Sequence, residues 1–145
     1  MTPFKPLTER IIAAGQIMSE DVARARDEGV TLIVNNRPDG EAEGQPEGAE
    51  IERAAREAGI DYLAIPVGAS GFSLPQVERL GEALEKTEGK VLAFSRTSTR
   101  STLLWALSEA KRGRDVEDVA REAAHAGYDV APVRPTMDMF ASQHG

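Results

Sequence analysis

The chain has 145 residues, of which 41% are hydrophobic, and its 17 basic and 24 acidic side chains give a formal net charge of −7. That length predicts one domain, residues 1–145, and the acidic balance argues against a general nucleic-acid-binding surface. The lack of cysteine excludes disulfides and thiol chemistry, and two histidines are too few for a histidine-based metal site.

No apolar run approaches the ~20 residues of a membrane span. The first residues, MTPFKPLTER, also lack the apolar segment of a signal peptide. We therefore expect a cytoplasmic protein without a membrane or nucleic-acid partner, and we expect neither a metal nor a cofactor.

Strand and helix patterns alternate along the chain, and Ser19 is expected to cap the first helix. Three of the four predicted strands are almost wholly apolar, as strands buried on both faces are. The patterns therefore predict an α/β fold with a central, mostly parallel sheet of four to five strands flanked by helices. In chain order we predict a strand at 9–17, a helix at 19–29, a strand at 30–36, a helix at 49–59, a strand at 61–67, a helix at 74–89, a strand at 91–94, helices at 101–111 and 115–127, and a short helix or tail at 137–145.

Ligands of such sheets bind at the carboxyl ends of the strands. The loops predicted to leave those ends are 37–48, 68–73 and 95–100. We therefore expect these three loops to line one site.

The loop after the last predicted strand, SRTSTRS, is rich in groups that bind anions. Its first residue is Ser95, and the remaining arginines and hydroxyls are Arg96, Thr97, Ser98, Thr99, Arg100 and Ser101. The N–H groups at a helix start are unpaired within the helix and carry partial positive charge, and an arginine can donate two parallel hydrogen bonds to an oxyanion. The loop therefore predicts a site for an oxyanion of about phosphate size, against the plainer interpretation that the hydroxyls cap the helix and the arginines are solvated.

Five motifs in order give the chain a resemblance to a known family. They are AGQIMSEDV (14–22), NNRPDGE (35–41), GQPEGAEI (44–51), YLAIPV (62–67) and RSTLLWAL (100–107). With these motifs the chain resembles the phosphatase-like domain of beta-lactamase hydrolase-like proteins, within the superfamily of dual-specificity and tyrosine phosphatases. The resemblance implies a dual-specificity-phosphatase-like fold over nearly the whole chain.

The resemblance also assigns roles within the loop. The family pattern is Cys-Arg-x-Gly-x-Arg-Ser, so Ser95 stands at the position of the nucleophilic cysteine, Ser98 at that of the glycine and Arg100 at that of the anion-binding arginine. A cysteine at a helix start is readily ionised, whereas a serine hydroxyl is not and needs a general base. We therefore expect hydrolysis of phosphate esters through a cysteinyl-phosphate only if residue 95 is Cys, and little or no turnover with Ser95. The serine fits both a natural pseudoenzyme and a deliberate substitution.

Other candidate residues lie on the loop after the second predicted strand. A phosphatase of this type uses a carboxylic acid to protonate the leaving oxygen, and because the loop 68–73 has no carboxylate, Asp39 is a tentative general acid. Glu41 is a second candidate by position, although both also fit a solvated Pro-Asp-Gly turn. Asn36 and Arg37 are predicted at the pocket rim, where Asn36 has a structural alternative and Arg37 could instead pair with a nearby acid.

Two other functions stay open at this point. Four residues separate Ser95 from Arg100, whereas tyrosine phosphatases have five, and four is the spacing of rhodanese-like sulfurtransferases, whose loop holds a persulfide. The domain could also bind an oxyanion without chemistry, as a pseudoenzyme. The expected ligand is a small phosphorylated or sulfur-containing molecule or a phosphoprotein. No β-lactamase activity is expected, because that chemistry in relatives belongs to a separate metal-binding domain.

Overall fold

A five-stranded sheet organises the computed structural model of the chain, which describes residues 2–144. The strand order is β1-β2-β5-β3-β4, with β1 antiparallel to β2 and all other neighbours parallel. The strands are β1 (Phe4–Pro6), β2 (Ile11–Ala14), β3 (Val30–Asn35), β4 (Asp61–Ala64) and β5 (Lys90–Phe94). The helices are α1 (Ser19–Asp27), α2 (Gly48–Glu57), α3 (Leu74–Lys86), α4 (Thr99–Lys111), α5 (Val116–His125) and α6 (Arg134–Ser142), with a 3-10 turn at Ala131–Val133.

The predicted α/β fold with a mostly parallel sheet is confirmed. Side chains alternate between the two faces of a strand, and in β5 both sets are buried. Val91 and Ala93 belong to the core on the side of α3–α6, whereas Leu92 and Phe94 belong to the core on the side of α1 and α2. Helices therefore cover both faces of the sheet, which explains why β5 reads as a continuous apolar run.

Helix α4 is the most deeply buried helix, and it fixes the position of the loop before it. Nine of its residues are buried, including Leu104 and Trp105, and α3, α5 and α6 all pack against it. Because β5 and α4 are both held in the core, the segment 95–98 between them lies at the carboxyl edge of the sheet. None of the helices within residues 2–144 is both long and apolar enough to cross a membrane.

Several boundaries differ from the predictions. The edge strand β1 was not predicted, since it has only three residues and includes a proline. The first predicted strand, 9–17, shortens to β2, and the third predicted strand, 61–67, is regular only to Ala64, although Ile65 and Val67 still donate to the carbonyls of Asn35 and Asn36. Helix α4 starts at Thr99, two residues before the predicted start at Ser101.

The helix ends also hold two corrections. Ser19 does not cap α1, because it is already helical, and the Asp21 carboxylate instead accepts the N–H of Met18 at 2.8 Å. The cap predicted for Asp115 is confirmed, as its side chain accepts the N–H of Glu117. The terminal segment forms α6 from Arg134, earlier than predicted, and the last predicted residue, Gly145, lies outside the described residues.

Candidate active site at the carboxyl edge of the sheet

Ser95 lies at the base of the loop between β5 and α4. Its side chain is buried, and its Oγ accepts a hydrogen bond from the backbone N–H of Ser101 at 3.3 Å. Its own N–H donates to the carbonyl of Ala14 at the end of β2. The hydroxyl is thus held against the first turn of α4, where unpaired N–H groups and the helix dipole favour negative charge.

Asn36 connects this turn to the neighbouring strands. The Ser101 hydroxyl donates to Asn36 Oδ1 at 2.8 Å, and Asn36 Nδ2 donates to the carbonyl of Ile65 at 2.9 Å. Asn36 is fully buried, and Ser101 is 1% exposed. Asn36 therefore ties the start of α4 to the segment after β4, by one buried hydrogen bond to each, and its place at the pocket rim stays a prediction.

Ser98 has a backbone conformation that normally favours glycine. Its φ is 75°, and it is the only residue other than glycine with a positive φ within residues 2–144. Its hydroxyl contacts the hydroxyl of Tyr128, on the connection after α5, and the carbonyl of Thr97. A left-handed backbone is thus present at the position where the family pattern has glycine, and a hydrogen bond to a distant tyrosine accompanies it.

The loop 95–100 also packs closely against the end of β2. The Gln16 N–H donates to the Arg96 carbonyl at 3.3 Å. A Cβ atom on Gly15 would lie only 3.2 Å from that same carbonyl oxygen. Glycine at position 15 therefore permits the close approach of the two backbones.

Two arginines converge on the carboxylate of Glu41. Arg100 donates from both terminal nitrogens to the two Glu41 oxygens, at 2.7 and 2.8 Å, and its Nη1 also donates to the carbonyl of Val67 at 2.5 Å. Arg37 donates from Nε to Glu41 at 3.1 Å and from Nη1 to Gln16 Oε1 at 3.0 Å. This hydrogen-bonded network joins the segments that follow all four parallel strands, including the expected loops 37–48 and 95–100, whereas the contact after β4 is made by Val67, directly before the expected loop 68–73.

The two guanidinium groups keep Glu41 ionised. The hydrogen bond from Arg100 is the largest cause, and that from Arg37 adds to it against the opposing effect of burial, so that the pKa of Glu41 falls from 4.5 to about 2. At neutral pH this edge of the sheet therefore holds a carboxylate anion within hydrogen-bonding distance of two arginines.

The remaining predicted site residues lie either on the exposed side of the loop 95–100 or next to the start of α2. Arg96, Thr97 and Thr99 lie on the exposed side of the loop, where the Thr97 hydroxyl donates to that of Thr99 at 3.4 Å. Asp39 lies at the start of α2, and its Oδ1 accepts the N–H of Gly48 at 2.8 Å. Glu41, rather than Asp39, is the carboxylate in contact with Arg100, and the assignment of Asp39 as a general acid stays a prediction.

Two residues that contact predicted site residues were not themselves singled out from the sequence. Gln16 lies in the AGQI motif directly after β2, so its position at the end of a strand was an available signal. Tyr128 contacts Ser98 across a separation of 30 residues, and no local pattern indicates that contact.

Comparison with known proteins identifies the family. Residues 3–112 match the family described as "Beta-lactamase hydrolase-like protein, phosphatase-like domain". The chain belongs to this family. The Beta-lactamase hydrolase-like protein of Xylella fastidiosa (strain Temecula1) is 34% identical over 125 residues, which make up 86% of this chain and 29% of the relative.

Solved structures agree with this placement. The crystal structure of nma1982 from Neisseria meningitidis Z2491, provisionally named a phosphatase, is 31% identical with a TM-score of 0.81, covering 94% of this chain and 96% of that one. PTPMT1 is 11% identical with a TM-score of 0.74, covering 98% of each chain, and this likeness shows the fold alone. The chain is thus a phosphatase-like domain with the fold predicted for it, and it spans less than a third of the length of the curated relatives it matches.

Proposed function

We propose that this domain binds a phosphate- or sulfate-type oxyanion over the loop Ser95–Ser101, and that the chain with Ser95 holds the oxyanion with little or no turnover. One observation carries the proposal: Arg100 already donates two parallel hydrogen bonds to an oxyanion, the Glu41 carboxylate, beside the start of a buried helix. Phosphate and carboxylate both match the planar fork of a guanidinium group.

The local charge supports a ligand with more negative charge than Glu41 supplies. Arg37 and Arg100 share this single carboxylate. Arg96, which lies on the same loop as Arg100, adds a third positive side chain. The amino end of α4 contributes further partial positive charge. An oxyanion with two negative charges would balance this edge better than one carboxylate does.

The environment of Ser95 supports binding without nucleophilic catalysis. A serine nucleophile needs a neighbouring base to accept its proton, but the hydrogen bond to Ser95 Oγ comes from an N–H donor, that of Ser101. That contact would stabilise an ionised group at position 95, as a cysteine thiolate would be. The arrangement therefore suits a cysteine better than the serine present.

With cysteine at position 95, the expected chemistry is hydrolysis of a phosphate monoester. The thiolate attacks phosphorus and forms an S–P bond as the bond to the leaving oxygen breaks, and a carboxylic acid protonates that oxygen. Water then attacks the cysteinyl-phosphate and releases phosphate and the thiolate. We propose Asp39 as the proton donor, and its Oδ1 also has a structural role, because it accepts the N–H of Gly48.

Sulfur transfer is the second candidate, and the spacing of four residues between Ser95 and Arg100 favours it. A thiolate at position 95 would take a sulfur atom from thiosulfate and release sulfite, and the resulting persulfide would pass that sulfur to an acceptor such as cyanide. For either chemistry we propose a small phosphorylated or sulfur-containing substrate, or a phosphoprotein.

Titration of the unaltered chain with inorganic phosphate and with sulfate, followed by calorimetry, tests oxyanion binding. Arg100→Lys keeps the charge but loses the fork, and we expect it to lower phosphate affinity about tenfold or more. Arg114→Lys is the matched control, because Arg114 pairs with Glu122 in a separate cluster. Equal phosphate affinity in the two variants would contradict the proposed site.

A further inference from the structure

Glu41 occupies the Nη1–Nη2 fork of Arg100, the edge of the guanidinium group from which the proposed ligand would accept two parallel hydrogen bonds if it replaced Glu41. Both carboxylate oxygens are committed to guanidinium groups, one to Arg100 alone and one shared between Arg100 and Arg37. A second anion cannot take the same two positions on Arg100 while Glu41 stays. Binding at this fork therefore requires exchange of one oxyanion for another.

We propose that Glu41 is a specificity-determining residue: a tethered carboxylate that excludes free carboxylates and single-charged anions from the fork, and that yields to a tetrahedral oxyanion with additional oxygens. This inference rests on the proposed function, since it concerns which ligand the loop Ser95–Ser101 accepts.

The fork stays in position when Glu41 leaves. Arg100 Nη1 remains bound to the Val67 carbonyl at 2.5 Å. The side chain of Arg37 remains bound to Gln16 Oε1 at 3.0 Å, and its backbone N–H to Asn35 Oδ1 at 2.9 Å. Because these contacts do not involve Glu41, the ligand meets arginines that are already oriented, which limits the entropy lost on binding.

The segment that carries Glu41 can also release its side chain without unfolding. The Glu41 N–H donates to Gln45 Oε1 at 3.0 Å, and Gln45 Nε2 donates to the Pro38 carbonyl at 2.9 Å. Asp39 binds the Gly48 N–H beside them. The backbone around Glu41 is thus closed by its own hydrogen bonds, and rotation of one side chain is enough to open the fork.

The chemistry of the competing anions decides which of them displaces Glu41. A free carboxylate offers the same two oxygens and the same charge as Glu41, but it must also lose translational freedom, which the tethered group has already lost. A phosphate or sulfate has further oxygens that can accept the N–H groups at the start of α4, in addition to those of the fork. The tether therefore penalises all anions, and only the tetrahedral oxyanion has additional contacts that offset the penalty.

The test compares Glu41→Gln with Glu43→Gln, titrated with inorganic phosphate and with acetate. Both changes remove one negative charge from the same loop, but Glu41 contacts the arginines and Glu43 is exposed. If Glu41 blocks the fork in about nine of ten molecules, its removal raises phosphate affinity about tenfold. We expect that gain, together with measurable competition by acetate, in Glu41→Gln alone.

The outcomes separate this inference from the function on which it rests. If phosphate binds the unaltered chain but neither Glu41→Gln nor Glu43→Gln binds it more tightly, the inference is overturned and the oxyanion site stands. If both variants gain affinity to the same degree, net charge and not the contact is the cause, and the inference also fails. If neither the unaltered chain nor Glu41→Gln binds phosphate, the proposed function itself fails.

Discussion

Arginine clusters lie at both the amino and the carboxyl edge of the sheet, and the arginines of the two clusters have different partners. At the amino edge, a cavity of about 560 Å³ is lined by three arginines and three glutamates, namely Arg10, Arg112, Arg114, Glu9, Glu109 and Glu122. There Arg114 pairs with Glu122 at 2.8 Å, and Arg10 donates to carbonyls at the end of α3. At the carboxyl edge, Arg37 and Arg100 share the single carboxylate of Glu41.

Helix direction explains the difference. The helices that follow parallel strands start at the carboxyl edge and end at the amino edge, so their dipoles leave the amino edge negative and the carboxyl edge positive. Arginines at the amino edge therefore offset helix carbonyls and acids, which is a structural role. Arginines at the carboxyl edge add to an existing positive potential, which is the charge that the proposed anionic ligand requires.

Two serines of α4 allow the edges to be compared with the same substitution. Ser101, at the carboxyl edge, donates to the buried Oδ1 of Asn36, whereas the buried hydroxyl of Ser108, two turns later, has no hydrogen-bond partner within residues 2–144. Ser101→Ala leaves Asn36 Oδ1 unpaired and should lower the free energy of unfolding by about 2 kcal/mol. Ser108→Ala removes an unpaired polar group and should leave stability unchanged or slightly raised.

Urea denaturation of the two variants measures this difference. A loss from Ser108→Ala as large as that from Ser101→Ala would mean that cavity formation, and not the hydrogen bond to Asn36, determines the cost. The contrast between the two ends of the helix would then fail.

A smaller effect concerns Ser98 and Tyr128. Ser98→Gly relieves the left-handed backbone by about 1 kcal/mol but loses the contact with the Tyr128 hydroxyl, worth about 1 kcal/mol. We therefore expect little change from Ser98→Gly alone, a loss of about 1 kcal/mol from Tyr128→Phe, and a gain of about 1 kcal/mol when Ser98→Gly is added to Tyr128→Phe.

Tyr62→Phe is the control for this double-mutant cycle, because the Tyr62 hydroxyl contacts Asn35 and not Ser98. Its effect on unfolding free energy should add to that of Ser98→Gly within about 0.5 kcal/mol. Additive effects of Ser98→Gly and Tyr128→Phe would show that the two hydroxyls do not stabilise each other.

The fold could be predicted from the sequence because its signals are local. The apolar runs of β3 and β5 and the alternation with helices predict a parallel sheet, and ligand sites of such sheets lie at the carboxyl edge. The short strand β1 could not be predicted, since three residues with a proline carry no pattern of their own and pair only through β2.

The site was only partly predictable from the sequence, because some of its contacts join residues that lie far apart in the chain. The loop 95–101 is continuous in sequence, so its hydroxyls, arginines and glycine-like position 98 could be identified together. The contact of Arg100 with Glu41 spans 59 residues, and that of Arg37 with Gln16 spans 21. The sequence offers several acids within 37–48, and only the folded chain distinguishes the one that contacts the fork from Asp39, which binds the start of α2.

The most direct measurement is p-nitrophenyl phosphate hydrolysis by Ser95→Cys, beside the chain with Ser95 and a Ser142→Cys control, with thiosulfate-to-cyanide transfer run in parallel. The chain has no cysteine, so each variant carries a single thiol, in the loop or on the exposed end of α6. We predict phosphate release by Ser95→Cys alone, abolished by thiol alkylation. Sulfur transfer without phosphate release, or neither activity while phosphate still binds, would contradict the assignment of position 95 as a phosphatase nucleophile.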